Sequence, residues 1–305
     1  MFKMFQRSAS SGNKSEFWEE NWSQGSVSQA ISFYDINPDR DIFDRFLPQQ
    51  GLILEGGCGL GQYVVIWSND SRKVVGLDFT LNPLKNLKQH YPEFSNYVVN
   101  GDVSKLPFPD NTFDAYYSGG VVEHFEDGPY EALSEAYRVL KPNGYLIISV
   151  PFYNLVRFMN NHLFYRLGMN GKGIWLKRPS SKIKFSGYNF FQYAYKKQEF
   201  KSFLEQAGFN VIFSKKNGFL WGLRELSIID SIMKRLGKST KSEQVIVSTE
   251  KNELVKEKKS SNGKGTVKSF IKRIIIKEDA NICPPVAILQ MLFSNMMFFI
   301  AIPKK

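Results

Sequence analysis

A chain of 305 residues with 43% hydrophobic and 23% charged side chains holds enough apolar material for one large globular domain with additions. Its two cysteines, Cys58 and Cys283, are too few and too far apart for a disulfide framework or a paired-cysteine zinc site, so no metal is expected. The net charge of +11 is localised: residues 1–214 carry 22 Lys and Arg against 21 Asp and Glu, whereas residues 215–277 carry 16 against 6.

The N-terminal MFKMFQRSASSGNKS has no apolar core of signal-peptide length, which predicts a cytoplasmic protein, and residues 1–15 read as polar and frayed. Residues 1–46 read as a cap segment, with the aromatic, acid-rich EFWEENW and a helix around Ile42–Phe46 that ends near Pro48. From Gly51 short apolar runs alternate with helix-like segments, the pattern of βαβ units and a mostly parallel sheet. Strands are predicted at Leu52–Glu55, Lys73–Leu77, Tyr97–Asn100, Phe113–Ser118, Tyr145–Val150, Asn210–Phe213 and Met296–Ile302. Helices fit at 61–69, 81–90, 129–140 and 197–207, the third stopped by Lys141-Pro142-Asn143-Gly144. The expected fold is α/β: a seven-stranded Rossmann-like sheet with helices on both faces and an antiparallel last strand. The core would span 47–214 and include an aromatic lid, 151–195. A basic insertion, 215–295, with a low-complexity stretch at 238–265, precedes the final strand in 296–305.

The run Glu55-Gly56-Gly57-Cys58-Gly59-Leu60-Gly61 leads from an apolar strand into a helix, where glycines permit a sharp turn and close approach to a ligand. It is not a nicotinamide loop, because the third glycine of G-x-G-x-x-G would fall on Gln62. Asp78 ends the second strand and is placed to accept both ribose hydroxyls of an adenosine. Asp102 ends the third strand and is placed for an adenine amino group, with Val103 able to pack on the ring.

These motifs resemble class I S-adenosylmethionine-dependent methyltransferases over about residues 50–150. Leu54–Gly61 is similar to that family's first motif and Gly76-Leu77-Asp78 to its second. Gly101-Asp102-Val103, running on through Leu106–Asp114, resembles the third, and Arg138–Gly144 the segment before the fifth strand. Within the family the chain looks closest to quinone-biosynthesis and other small-molecule methyltransferases. The resemblance implies S-adenosylmethionine as cofactor, with Glu55, Gly57, Gly59 and Gly61 around its methionine part, Asp78 at the ribose and Asp102 at the adenine. Cys58 and Ser118 complete the expected cofactor-binding set. Glu55 and Gly56 stand where the family more often has Asp and a bulkier residue.

After the fourth strand, Ser118–Phe125 contains Glu123 and His124. An imidazole titrating near neutrality is a candidate general base for an acceptor hydroxyl; alternatively the pair only pins the loop. Some relatives bind a cation through E-x-x-E-H, but the first of those positions here is Gly120. The aromatic lid would wall an apolar or planar acceptor or pack on the sheet, and Phe17, Trp18 and Trp22 would close over the cofactor or cover the core edge.

In 266–277, Val267, Phe270, Ile271, Ile274 and Ile275 recur at helical spacing between basic residues; Leu226, Ile229, Met233 and Leu236 form a second stripe. Peripheral contact with an anionic membrane through 215–277 and plain packing on the core are the two readings. Nucleic acid is disfavoured, since Ser118-Gly119-Gly120-Val121 lacks a Pro-Pro-aromatic signature. The expected function is methyl transfer, at oxygen, to a small molecule, lipid-linked intermediate or glycan. The alternatives are an RNA methyltransferase and a non-catalytic membrane-surface or partner-binding protein.

Overall fold

Alternation along the strands decides the architecture. In successive strands neighbouring apolar residues point to opposite faces of one sheet. Leu54, Tyr116, Leu146, Ile148, Met297 and Phe299 enter one core, and Ile53, Ala115, Tyr117, Ile147, Phe298 and Ile300 enter the other. A sheet buried on both faces must be covered twice, which is what the intervening helices do. The computed structural model describes residues 1–7, 14–23, 25–32, 34, 39–159, 175–177, 188–218, 222 and 292–305.

The elements run β1 (Phe2–Arg7), α1 (Lys14–Ser23), α2 (Val27–Ser32), α3 (Arg40–Phe46), β2 (Leu52–Gly56), α4 (Gln62–Asn69), β3 (Lys73–Asp78), α5 (Leu81–His90) and β4 (Val98–Asn100). They continue with β5 (Phe113–Gly119), α6 (Tyr130–Val139), β6 (Leu140–Pro151), α7 (Leu155–Met159), β7 (Trp175–Lys177), β8 (Tyr188–Ala194), α8 (Lys197–Gln206), β9 (Phe209–Asn217) and β10 (Met296–Pro303). The main sheet has the order β4-β3-β2-β5-β6-β10-β9. Pairings from β4 to β6 are parallel, and β10 is antiparallel to both β6 and β9. The seven predicted strands and the antiparallel last strand are therefore present.

Helices α6 and α8 cover one face through Ala132, Leu133, Ala136, Val139, Phe200 and Leu204. Helices α3, α4 and α5 cover the other through Ile42, Phe43, Val64, Trp67, Leu84 and Leu87. Each Leu or Phe fully buried in this way contributes roughly 1.5–3 kcal/mol.

The N-terminus differs from expectation. Residues 2–7 form the central strand of a second, antiparallel sheet, β7-β1-β8. Phe2 and Met4 lie two apart and pack with Tyr153 and Ala194; the rings of Phe2 and Tyr153 stack with centroids 3.5 Å apart. The polar residues that follow dominate the local composition, while the strand is stabilised by β8, nearly two hundred positions away. The same pairing makes residues 188–194 of the expected lid a strand, with one register shift against β1 between Met4 and Phe5. The acid-rich EFWEENW lies in helix α1. Strand β6 begins at Leu140, with an irregular register against β5 between Phe113 and Ala115, so Lys141–Gly144 belongs to the strand.

The chain divides into two units, Met1–Tyr153 with Lys172–Asn217 and Met296–Lys305, and Asn154–Gly171 with Gly218–Asn295. In the second, Asn154 Oδ1 accepts the N–H of Arg157 at 2.8 Å in α7, and Asn154 Nδ2 donates to the carbonyl of Phe293 at 3.2 Å. The low-complexity stretch 238–265, the stripes at 226–236 and 266–277, Cys283, and the lid residues Phe164, Tyr165 and Phe185 lie outside the described residues. Among those described, no helix is long and apolar enough to cross a membrane, and no cluster of His, Cys, Asp and Glu could hold a metal.

Candidate active site

In an open α/β sheet the crevice lies at the carboxyl ends of the strands, where the order of connections reverses. Here that point is between β2 and β5. A cavity of ≈ 390 Å³ opens there, lined by the segments that follow β2, β3, β4 and β5 and by α1.

The loop after β2 turns through left-handed residues. Gly57 and Gly59 have φ of 76° and 51°, and a Cβ on either would meet Val121 or, for Gly59, Trp22 Cζ2 at 2.7 Å. Gly56 is small for another reason: the Tyr116 hydroxyl occupies the place of a Cβ. The N–H groups of Gly57 and Cys58 both donate to the Leu77 carbonyl, at 2.7 and 3.0 Å, which ties the loop to the end of β3.

Asp78 continues this tie. Its Oδ2 accepts the Gly59 N–H at 2.7 Å, and its Oδ1 accepts the N–H and hydroxyl of Thr80 at 2.9 and 2.6 Å. Asp102 is exposed, and its Oδ1 accepts the N–H and hydroxyl of Ser104, both at 2.8 Å. The segment beyond it is held by Arg138 of α6. That guanidinium donates to the carbonyls of Leu106 and Phe108 at 3.0 and 2.7 Å and pairs with Glu135.

Glu55 is buried, and its Oε2 has no partner among the described residues. Burial first, and then the charge of Asp78, pushes its carboxyl well above the usual range; a backbone hydrogen bond at Val64 opposes the shift. The same burial and the neighbouring charges of Glu55 and Asp78 push the Cys58 thiol up, so it stays neutral.

His124 follows β5. Its Nδ1 lies 2.7 Å from the carbonyl oxygen of Phe191 in β8. A carbonyl only accepts, so Nδ1 carries the proton and Nε2 of the neutral ring keeps its lone pair. Buried Glu123 places Oε1 4.0 Å from Nε2. Trp18 and Phe191 flank the imidazole, with centroids 4.8 and 4.9 Å away.

Of the residues singled out from sequence, Trp18, Trp22, Glu55, Gly57, Cys58, Asp78, Gly101, Asp102, Val103 and His124 line the cavity, and Phe17 does not. Gly59 and Gly61 shape the loop without lining it. Ser118 and Glu123 are buried beside the cavity and not on its wall. Gln62, Tyr63, Phe79, Tyr117, Val121 and Phe125 also line it. Phe79 had a signal: an aromatic that directly follows a strand-end acid and stays exposed. The others depend on how loops meet in space.

Residues 54–148 match a family described as the methyltransferase domain. Over 99 residues the chain is 32% identical to a probable S-adenosylmethionine-dependent methyltransferase of Mycolicibacterium smegmatis, covering 32% of this chain and 37% of that one. It is 26% identical over 215 residues to the chloroplastic 2-methyl-6-phytyl-1,4-hydroquinone methyltransferase of Arabidopsis thaliana, covering 68% of this chain and 52% of the relative. The chain thus spans 37% and 52% of the length of these curated relatives. The crystal structure of a Pyrococcus horikoshii OT3 protein is similar in fold, with a TM-score of 0.51 at 22% identity over 68% of this chain and 95% of that one.

Proposed function

We propose that the chain, whose residues 54–148 match a methyltransferase domain family, is a class I S-adenosylmethionine-dependent methyltransferase that methylates an oxygen of a small molecule, lipid-linked intermediate or glycan. The observation that carries this reading is that Glu55, Asp78 and Asp102, at or just beyond three successive strand ends, line one and the same cavity as His124.

The residues fit the cofactor. A buried carboxylate oxygen without a partner, Oε2 of Glu55, suits the ammonium of a methionine moiety. Asp78 keeps one further acceptor direction, on Oδ2, for a ribose hydroxyl, because Oδ1 already accepts two donors from Thr80, and Asp102 keeps Oδ2 for an adenine amino group. Val103 and Phe79 would contact the base. The glycine loop allows close approach of its backbone. When bound, S-adenosylmethionine supplies an electrophilic methyl group on a sulfonium.

The protein's part is then alignment, exclusion of water and removal of one proton. Alignment of two reactants can be worth roughly 7–11 kcal/mol. Trp18, Trp22 and Phe125 wall the cavity against solvent. His124 Nε2 would take the proton that the acceptor hydroxyl loses when its oxygen receives the methyl and the sulfonium is left as a neutral thioether, and the carboxylate of Glu123 would stabilise the resulting imidazolium. The Phe191 carbonyl fixes the tautomer this requires.

The excess charge of 215–277 supports peripheral attachment to an anionic surface, which vesicle flotation of the intact chain and of a 238–277 deletion tests. The central test is calorimetric titration with S-adenosylmethionine and S-adenosylhomocysteine beside Asp78→Ala. Saturable binding that the variant loses supports the reading; no binding by the folded, unaltered chain overturns it.

A further inference from the structure

Helix α1 is short, and its sequence KSEFWEENWS is largely polar. An isolated helix of this length is marginal in water, so what holds it must come from the domain. The anchor lies at the start of α5. A threonine before a helix ordinarily caps it by accepting an N–H of the first turn. Thr80 makes no side-chain cap, and its hydroxyl donates instead to Asp78 Oδ1 at 2.6 Å. The free N–H groups of α5 are taken instead by Glu19 of α1. Oε1 accepts the N–H of Leu81 at 2.7 Å, and Oε2 that of Asn82 at 3.1 Å. A carboxylate there also meets the positive end of the helix dipole.

Glu19 stands beside Trp18 and one turn from Trp22. The two indoles stack with centroids 6.0 Å apart. Trp22 fills the space over Gly59, Trp18 lies against His124, and both line the cavity. Asp78, Thr80, the first turn of α5, Glu19 and the two tryptophans therefore form one continuous chain of contacts from the cavity floor to its wall.

We infer that Glu19 is a positioning residue that latches α1 to α5, so that Trp18 and Trp22 form a hinged wall which opens to exchange cofactor and closes to retain it. The identity of the retained ligand rests on the methyl-transfer reading; the latch itself does not.

The test compares the unaltered chain with Glu19→Ala, Trp22→Ala and the double variant, using S-adenosylhomocysteine as the titrant and amide hydrogen exchange of residues 14–23 without ligand. Glu19→Ala is expected to weaken binding about tenfold, the size of losing hydrogen bonds to a charged group. Glu19→Gln, which keeps one acceptor oxygen, recovers part of it. The double variant loses less affinity than the two single losses combined, because without Trp22 the latch holds only the Trp18 half of the wall. Additive losses, or unchanged binding in Glu19→Ala, overturn the inference. Exchange over 14–23 is expected to accelerate about tenfold in Glu19→Ala, and unchanged exchange also overturns it. If the unaltered chain binds no S-adenosylhomocysteine, the methyl-transfer reading falls, and hydrogen exchange alone decides the latch.

Discussion

Oδ2 of Asp78 accepts the N–H of Gly59 across 2.7 Å, so the acid that ends β3 is fastened to the glycine loop that follows β2. One side chain thereby sets the shape of the loop and presents a carboxylate to the same cavity. Asp78→Asn removes the charge and turns a donor toward at least one of three present donors. It is expected to cost about 1–3 kcal/mol of stability and to weaken S-adenosylhomocysteine binding by roughly 10–100-fold. Chemical denaturation and calorimetry on one preparation measure both.

His124→Gln tests the base. The amide retains a polar group near Phe191 but cannot accept a proton at neutral pH. Affinity for S-adenosylhomocysteine is expected to stay within about twofold, while turnover on an accepted hydroxyl substrate falls by about 100-fold or more. A variant that turns over at the original rate removes His124 from the chemistry and leaves it a loop-fixing residue.

Glu55 has a folded-state pKa raised by burial and by Asp78. The folded chain therefore holds this proton more tightly than the unfolded chain does. The stabilisation is fully present below the ordinary value of about 4.3 and is lost as pH rises through the folded value. Glu55→Gln, neutral throughout, should gain in melting temperature relative to the unaltered chain as pH rises, and the gap should close in acid. Binding of a ligand ammonium should also release the proton from Glu55. That release appears as a heat of binding that varies with the buffer's ionisation enthalpy, and it is absent in Glu55→Gln.

Gly59→Ala places a Cβ against Trp22 at a left-handed position. The backbone cost alone is roughly 1–2 kcal/mol. The larger effect falls on the wall: cofactor affinity should drop by about tenfold, the amount expected for an interaction of about 1.4 kcal/mol. Trp22→Ala in the same chain should relieve the clash without restoring affinity. Titration of the single and double variants checks this.

Much of this molecule was legible in its sequence. The strands from Leu52 to Val150 and at 296–303 announce themselves because both cores read one alternation: Ile53 belongs to one face and Leu54 to the other. The strand-end acids were legible for a related reason. Glu55, Asp78 and Asp102 each close an apolar run, and parallel strands bring all such ends to one side. Strand β1 was not legible, since Phe2 and Met4 are too few to outweigh the polar residues after them until Tyr153 and Ala194 supply a surface to bury against.

What the sequence determined by itself is therefore the layered α/β domain and the side of the sheet on which its acids gather, both consequences of local periodicity. Tertiary structure alone decided which nitrogen of His124 carries the proton, because Phe191 lies 67 residues away. It also decided that Glu19 caps a helix 62 residues further on, in place of a threonine committed to Asp78. Hydrogen bonds between distant segments depend on where the folded chain brings their ends, and no spacing within either segment encodes that.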